Sequence, residues 1–197
     1  MSANTALTRG DLWSLEEYSQ ERAGFRDAVL AHKKNRQVPI GDHILLLFED
    51  RMTLKYQIQE MLRIEKVFEA AGIQDELDAY NPLLPNGDNW KCTLLIQFPD
   101  VDERKEQLKR LIGIENQIWV QVGDSDRTFP IADEDMERQN EEKTSAVHFL
   151  RYQLSETQIS LAKSGADILF GVDHAAVSIP AVKVTENVRQ ALCLDLA

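Results

Sequence analysis

The chain has 197 residues, a composition typical of a globular protein and a formal net charge of −11. This size predicts a single domain over residues 8–197 behind a flexible N-terminal segment, 1–7. The negative charge argues against nucleic acid and anionic membrane surfaces as partners, and two distant cysteines without a CxxC motif exclude a disulfide framework.

The N-terminal segment lacks the basic region and apolar run of a signal peptide. No apolar stretch further along the chain is long enough to span a bilayer. We therefore expect a cytoplasmic protein that does not associate with membranes.

Two helices are predicted next. Ser14 and Glu17 have the spacing of a capping box at the start of a short helix. A second helix is predicted over residues 20–35, where basic side chains suit the negative end of the helix dipole.

A hairpin and a long helix follow these two helices. Residues 38–40 and 43–48 flank a Gly-Asp pair, a two-residue turn with glycine first, which predicts a β-hairpin. The long helix is predicted to begin after the N-cap Asp50 and to end near Gly72.

The remaining elements alternate between strands and helices. Strands are predicted at 90–98, 118–122, 127–131, 144–154 and 167–172, and helices at 74–80, 100–112, 155–165 and 185–194. The pair 118–122 and 127–131 predicts a second hairpin. Because two hairpins imply antiparallel pairing, we predict an α+β fold, with a mostly antiparallel sheet packed against the long central helix and several shorter helices.

The long helix carries the clearest indication of a site. Its apolar face, which includes Leu54, Ile58 and Phe68, also contains Gln57 and Glu65. A carboxylate buried among core positions needs a partner. Glu65 therefore predicts either an ion pair or a functional group, and Gln57 either binds neighbouring backbone or recognises a ligand.

A metal site is one hypothesis for these carboxylates. Glu65 and Glu69 are four residues apart, so both project from one side of a helix. Together with His148, in the middle of a strand, or His174, where a strand leaves the sheet, they form a ligand set for iron, manganese or zinc. The alternative, which we prefer, pairs Glu65 with a cation and makes His148 a hydrogen-bonded core residue.

Further candidates for ligand or partner binding lie around the long helix. Glu49 and Arg51 flank the strand-to-helix junction, where the guanidinium group can bind a carboxylate or phosphate. Glu60 and Arg63 form either a solvated ion pair or part of a partner surface. Asn81, at the start of a turn-rich loop, is added to these candidates.

Several familiar catalytic motifs are absent from the sequence. It contains no GxGxxG, P-loop, GxSxG or HExxH motif. No nucleotide cofactor is therefore expected.

Five segments together resemble an uncharacterised bacterial family, a domain of unknown function. They are LFEDR at 47–51, YQIQEMLRIE at 56–65, AYNPL at 79–83, KTSAVHFL at 143–150 and GVDH at 171–174. The resemblance spans nearly the whole chain and implies no established activity or catalytic residue. Genes of this family often lie beside those for rubrerythrin and for an iron–sulfur oxidoreductase resembling heterodisulfide reductase, which implies a role near peroxide defence or thiol redox chemistry.

Three functions remain open, in order of preference. The first is a non-catalytic accessory protein, expected as a homodimer, that docks on a rubrerythrin-like or iron–sulfur partner through an exposed apolar patch. The second is a metal-dependent enzyme or metal carrier built on Glu65, Glu69 and a histidine. The third is a binder of small anionic ligands, with Arg51 and Gln57 at the mouth of a pocket.

Overall fold

The computed structural model describes residues 6–135, 138 and 142–197. The helices of the described residues are α1 (Leu15–Lys33), α2 (Arg51–Glu65), α3 (Ala70–Tyr80), α4 (Val101–Arg110), α5 (Glu156–Lys163) and α6 (Glu186–Cys193). The strands are β1 (Gln37–Ile40), β2 (Ile44–Phe48), β3 (Asn89–Ile96), β4 (Ile118–Val122), β5 (Ile131–Ala132), β6 (Val147–Gln153), β7 (Ile168–Val172) and β8 (Val182–Lys183). The predicted α+β class is confirmed.

The strands of the described residues form two antiparallel sheets. The large sheet has the order β1-β2-β3-β6-β5, and the small sheet has the order β4-β7-β8. The predicted first hairpin is confirmed as β1 and β2, but its loop has three residues, 41–43, in place of the predicted two, with Gly41 at a φ of 62°. Glycine suits this turn because a side chain is strained at positive φ.

The second predicted hairpin is wrong except for one contact. Thr128 meets β4 only through an isolated bridge to Val120. The main partner of β4 is β7, whereas β5 joins the large sheet beside β6. The pairing was mispredicted because the real partners come from distant parts of the chain.

The main hydrophobic core involves the inner faces of both sheets. Along β3, Trp90, Cys92, Leu94 and Ile96 are buried, and the intervening residues from Lys91 onward are half-buried. This alternation follows the two-residue repeat of a strand. It gives the large sheet a second, outer face that is only partly covered.

A separate hydrophobic cluster holds the helices of the N-terminal half together. Leu54, Ile58 and Leu62 of α2 are buried at intervals of four residues and form a cluster with Leu77 of α3 and Leu84. This spacing places the α2 side chains on one helical face. The cluster is called the helical cluster below.

The helix boundaries differ from the prediction in three places, one of which is the start of α3 at Ala70 in place of residue 74. The capping box of Ser14 and Glu17 is confirmed, but it begins one continuous helix, α1, in place of two. Asp50 caps α2 as predicted, accepting hydrogen bonds from two backbone N–H groups. However, α2 ends at Glu65, because Lys66 adopts a left-handed conformation with a φ of 56°.

The start of the described chain is held by the fold. Leu7 is buried, and its backbone N–H and carbonyl bond to the side chain of Asn81 at 2.8 and 2.9 Å. Residues 1–5 lie outside the described residues, and the predicted division into a flexible segment 1–7 and a single domain 8–197 stays a prediction. Among the described helices, none is both long and apolar enough to cross a bilayer.

Candidate ligand-binding site

A cavity of about 500 Å³ lies against the outer face of the large sheet. Its walls include Glu49 after β2, Lys91 on β3, and Phe149 and Arg151 on β6, with Leu83 from the loop after α3. This volume lies in the range of small-molecule sites. The cavity therefore lies between the outer face of the large sheet and the loop that follows α3.

Two cationic side chains face each other across the strands at this cavity. Lys91 and Arg151 are direct register partners of β3 and β6. Like charges placed opposite each other destabilise a sheet. Arg151 is neutralised by Glu134, with both nitrogen–oxygen distances at 2.8 Å.

Lys91 lacks such a carboxylate. Its ammonium group donates a hydrogen bond to the carbonyl oxygen of Pro82 at 2.6 Å. Among the described residues, none forms an ion pair with Lys91. Burial lowers the pKa of Lys91, and the nearby charge of Arg151 lowers it further, although Glu134 and Asp88 oppose both effects. The charged form of Lys91 is therefore only partly compensated, and among the described residues Pro82 alone accepts a hydrogen bond from its three N–H donors.

Glu49 is the second unusual group of the cavity. Its side chain is buried, with only 6% of the residue exposed. One carboxylate oxygen accepts hydrogen bonds from the hydroxyl of Thr53 at 2.6 Å and the amide of Gln57 at 2.9 Å, and the other accepts from the hydroxyl of Thr93 at 3.0 Å. All three donors are neutral. No lysine, arginine or histidine of the described chain forms an ion pair with this carboxylate.

Local structure explains why Glu49 is held so firmly. Residues 49, 53 and 57 are spaced by four, so the helical turn that Asp50 caps brings Thr53 and Gln57 onto the side of Glu49. Thr53 is fully buried and also accepts a hydrogen bond from the backbone N–H of Asp50 at 2.9 Å. The carboxylate is thus fixed by its own helix on one side and by β3 on the other.

Neither cysteine has the character of a redox-active thiol. Burial raises the pKa of Cys92 well above its usual value, and the charge of Glu49 adds to that increase. Burial also raises the pKa of Cys193, although Arg189 opposes it. A reactive thiol needs a lowered pKa, so both side chains are best explained as packing groups.

The candidates near the helix junction differ in placement. Gln57 binds Glu49 at the cavity wall, as described above. Arg51 instead pairs with Asp11 at 2.5 Å and donates to the carbonyl oxygen of Ala6 at 3.0 Å. Asn81 holds the backbone of Leu7. Arg51 and Asn81 thus tie the N-terminal segment to the helices.

Glu60 and Arg63 form part of a network between α1 and α2. The carboxylate of Glu60 accepts hydrogen bonds from the hydroxyl of Tyr18 at 2.6 Å and from Arg22 at 2.7 and 2.9 Å. Arg63 donates to it at 3.0 Å. The pair is therefore more than a solvated surface contact.

The predicted metal ligands do not come together. Glu65 is exposed at the end of α2, so its predicted inward orientation is wrong. Glu69 lies beyond the helix end and is the N-cap of α3, so the two carboxylates do not share a helix. The error arose because the left-handed turn at Lys66 ends the helix, leaving Ile64 and Phe68 61% and 71% exposed.

The two histidines of that hypothesis have other partners. His148 is fully buried, with its ring nitrogens 2.6 Å from a carboxylate oxygen of Asp133 and 2.9 Å from the hydroxyl of Thr144. His174 contacts the carbonyl oxygen of Ile112 at 3.1 Å. Across the described residues, no group of three or more His, Cys, Asp or Glu side chains is placed to hold a metal ion.

Sequence reasoning identified Glu49 and Gln57 but missed Lys91, Thr93 and Arg151. The alternation of the strand at 90–98 places Lys91 and Thr93 on one face, which was the available signal. The position of Arg151 beside Lys91 depends on strand register, which the sequence pattern does not reveal.

The comparisons with known proteins concern the whole chain. A family model described as a protein of unknown function (DUF3501) matches residues 6–196. A crystal structure of a novel protein of unknown function from Burkholderia pseudomallei K96243 is similar, with 47% sequence identity and a TM-score of 0.93 over 98% of this chain and 100% of that chain. No curated protein matches the chain. The resemblance to an uncharacterised family is confirmed, and the gene neighbourhood that it implies stays a prediction.

Proposed function

Since the chain belongs to the DUF3501 family, for which no activity is described, we propose from its own residues that it binds a small organic anion in the cavity beside Lys91. The anionic end of the ligand would accept hydrogen bonds from the N–H donors of Lys91 that do not bind Pro82. The sequence also suggested a binder of small anionic ligands, but with Arg51 as the cation at the pocket, a role that this proposal gives to Lys91.

The observation that carries this proposal is the arrangement of Lys91 and Arg151. Their direct opposition across β3 and β6 costs stability. Glu134 makes its direct ion pair with Arg151 and acts on Lys91 only from a distance. An anion bound at Lys91 would supply the missing charge through charge-assisted hydrogen bonds, which are the stronger class.

The remaining wall of the cavity indicates the body of the ligand. Leu83, Pro82 and Phe149 line it with apolar surface. Small-molecule sites combine such surface with a few placed polar groups. The proposed ligand therefore has an apolar body attached to a carboxylate or a similar anion.

Lys91→Met tests the proposal, because methionine keeps an unbranched apolar side chain and removes the ammonium group. We expect 3-phenylpropanoate and other organic monocarboxylates to bind the wild type, and the variant to bind at least about tenfold more weakly, as for loss of a charged hydrogen bond. Titration calorimetry gives both affinities. Wild-type affinity should also fall as the pH rises toward the lowered pKa of Lys91, below the usual lysine value of 10.5.

Lys105→Met is the matched control, since Lys105 lies exposed on α4 in a surface pair with Asp102. The control should bind like the wild type. Equal affinities of the wild type and Lys91→Met would contradict the proposal, as would the failure of every anion to bind.

A docking function is the second candidate, favoured by exposed apolar side chains after α2. Ile64 and Phe68 are largely exposed, and Phe68 borders a groove of about 190 Å³ that Trp13 and Val67 also line. Such patches mark interaction sites. The partner expected from the resemblance is a rubrerythrin-like or iron–sulfur protein, and a homodimer also stays a prediction.

Phe68→Ser tests this second candidate in pull-downs with the purified rubrerythrin-like and iron–sulfur proteins of the same genome. We expect the wild type to retain one of them and the variant to lose it, because the substitution removes the main exposed ring. If the wild type retains neither protein, this partner class is rejected. The molar mass of the wild type, measured by light scattering, tests the predicted homodimer separately.

A further inference from the structure

The charged side chains around the cavity can be sorted into pairs. Glu134 neutralises Arg151, and Asp135 contacts Arg138 at 2.5 Å. Among the described residues, this leaves Lys91 and Glu49 as the charged groups of the wall that form no ion pair. The cavity thus offers one positive and one negative group to an occupant.

Glu49 satisfies its hydrogen-bonding needs only in part. Thr53, Gln57 and Thr93 occupy three acceptor positions of the carboxylate, which has about four. These donors are neutral, so they leave the negative charge in a buried place without an ion-pair partner. A buried charge of this kind is costly, and a cation beside it would offset the cost.

The two groups occupy different places on one wall. Thr93, which binds Glu49, and Lys91 lie two residues apart on the outer face of β3, which corresponds to roughly 7 Å along a strand. The ammonium group of Lys91 is directed to Pro82 instead. Glu49 and Lys91 therefore do not neutralise each other by direct contact.

From this arrangement we propose that the ligand is a zwitterion, an aminocarboxylate with an apolar body, whose carboxylate meets Lys91 and whose ammonium group meets Glu49. This inference rests on the proposed anion-binding function and specifies its ligand class. An anion alone would leave Glu49 uncompensated, and an amine alone would leave Lys91 uncompensated.

Matched ligand pairs test the inference on the wild-type protein. The pairs are phenylalanine with 3-phenylpropanoate, leucine with 4-methylpentanoate and 6-aminohexanoate with hexanoate, which vary the body and the distance between the charges. At least one aminocarboxylate should bind about tenfold or more tightly than its partner without the amino group, in the range of a charged hydrogen bond. 2-Phenylethylamine, which lacks the carboxylate, should bind more weakly than phenylalanine.

Glu49→Gln then tests whether Glu49 is the group that binds the ammonium group of the ligand. Glutamine keeps the size of the side chain and removes its charge, so the variant should lose the preference for the aminocarboxylate and keep its affinity for the simple carboxylate. Glu156→Gln, at an exposed position of α5, is the control and should keep the preference. The ratio within each pair on the wild type remains decisive if Glu49→Gln does not fold.

The outcomes separate the two proposals. Carboxylates that bind through Lys91 without any preference for an amino group would overturn the zwitterion and leave the anion-binding function intact. A preference that survives in folded Glu49→Gln would also overturn it. Failure of every carboxylate to bind would overturn both. If phenylalanine is the preferred aminocarboxylate, equal binding of 2-phenylethylamine would point to a simple amine and reject the zwitterion.

Discussion

At the scale of single residues, Glu60 shows how a surface charge becomes part of the fold. Its carboxylate binds Tyr18 and Arg22 of α1 as well as Arg63 of its own helix. The hydrogen bond from Arg22 lowers the pKa of Glu60 far below its usual value, with help from Arg63 and Tyr18 and against the effect of burial. The charged form of Glu60 therefore holds two helices together.

This residue gives a pH-dependent prediction. Because the folded pKa lies below the usual value of 4.5, the stabilisation is present above pH 4.5 and is lost as the pH falls below it. Glu60→Gln should lower the free energy of unfolding by about 1 kcal/mol at pH 7, a modest figure since Arg22 is partly exposed and solvent screens the pair. Urea unfolding at pH 7 and at pH 3 measures the difference in the free energy of unfolding between the wild type and Glu60→Gln. This difference should be smaller at pH 3.

Glu186→Gln provides the comparison for that experiment. Glu186 also pairs with an arginine, Arg189, but the pair lies within one helix and the Glu186 side chain is exposed. Its substitution should change the unfolding free energy less than Glu60→Gln does at pH 7. An equal loss at both positions, or a Glu60 effect that persists unchanged at pH 3, would contradict the interhelical role.

At the scale of elements, the start of α2 depends on one aspartate with two tasks. Asp50 accepts hydrogen bonds from the backbone N–H groups of Met52 and Thr53 at 3.0 and 2.9 Å. The same side chain lies 2.5 Å from His32 and 3.3 Å from Arg36, whose side chain is almost fully buried. Asp50 is therefore both a helix cap and a counterion.

Three substitutions, Asp50→Ala, Asp50→Asn and Asp100→Ala, separate the capping role of Asp50 from its role as a counterion. Asp100 caps α4 with two similar bonds of 3.0 and 2.8 Å, so Asp100→Ala should cost about 1 kcal/mol, the usual value of a cap. Asp50→Ala should cost more, about 2 kcal/mol, because it also removes one of the two carboxylates that pair with the buried Arg36, the other being Asp195 at 2.5 Å. Asp50→Asn keeps a good cap and should fall between them.

Urea unfolding of the three variants at pH 7 measures this order. Losses of the same size for Asp50→Ala and Asp100→Ala would show that the ion pair contributes nothing to stability. An Asp50→Asn variant as stable as the wild type would lead to the same conclusion.

The helix starts show what local sequence can predict. The capping box of Ser14 with Glu17 and the N-cap Asp50 were both predicted correctly, because a cap is formed by residues a few positions apart. The end of α2 was missed, since Lys66 takes a left-handed conformation that usually belongs to glycine.

The candidate site divides in the same way. Glu49 and Gln57 were selected because a junction and a helical wheel are local patterns. Lys91 and Arg151 were missed, because their opposition follows from the register between β3 and β6. Glu65 was selected wrongly, because the apolar pattern was extended past the point where the helix ends.

At the scale of the whole molecule, the buried apolar residues that the structure describes form two hydrophobic clusters. One involves both sheets, and the other is the helical cluster. Polar contacts join them, including those of Glu49 with Thr53 and Gln57 of α2 on one side and with Thr93 of β3 on the other. The cavity lies beside this junction, between the large sheet and the loop that follows α3.

That position has a consequence for how the molecule melts. An occupant of the cavity touches both the sheet and the loop leading out of the helical cluster, so it binds only while the two are docked. By mass action, a ligand of the proposed kind would add to the free energy of separating them as its free concentration rises. The sheet and the helical cluster would then unfold more cooperatively with the ligand than without it.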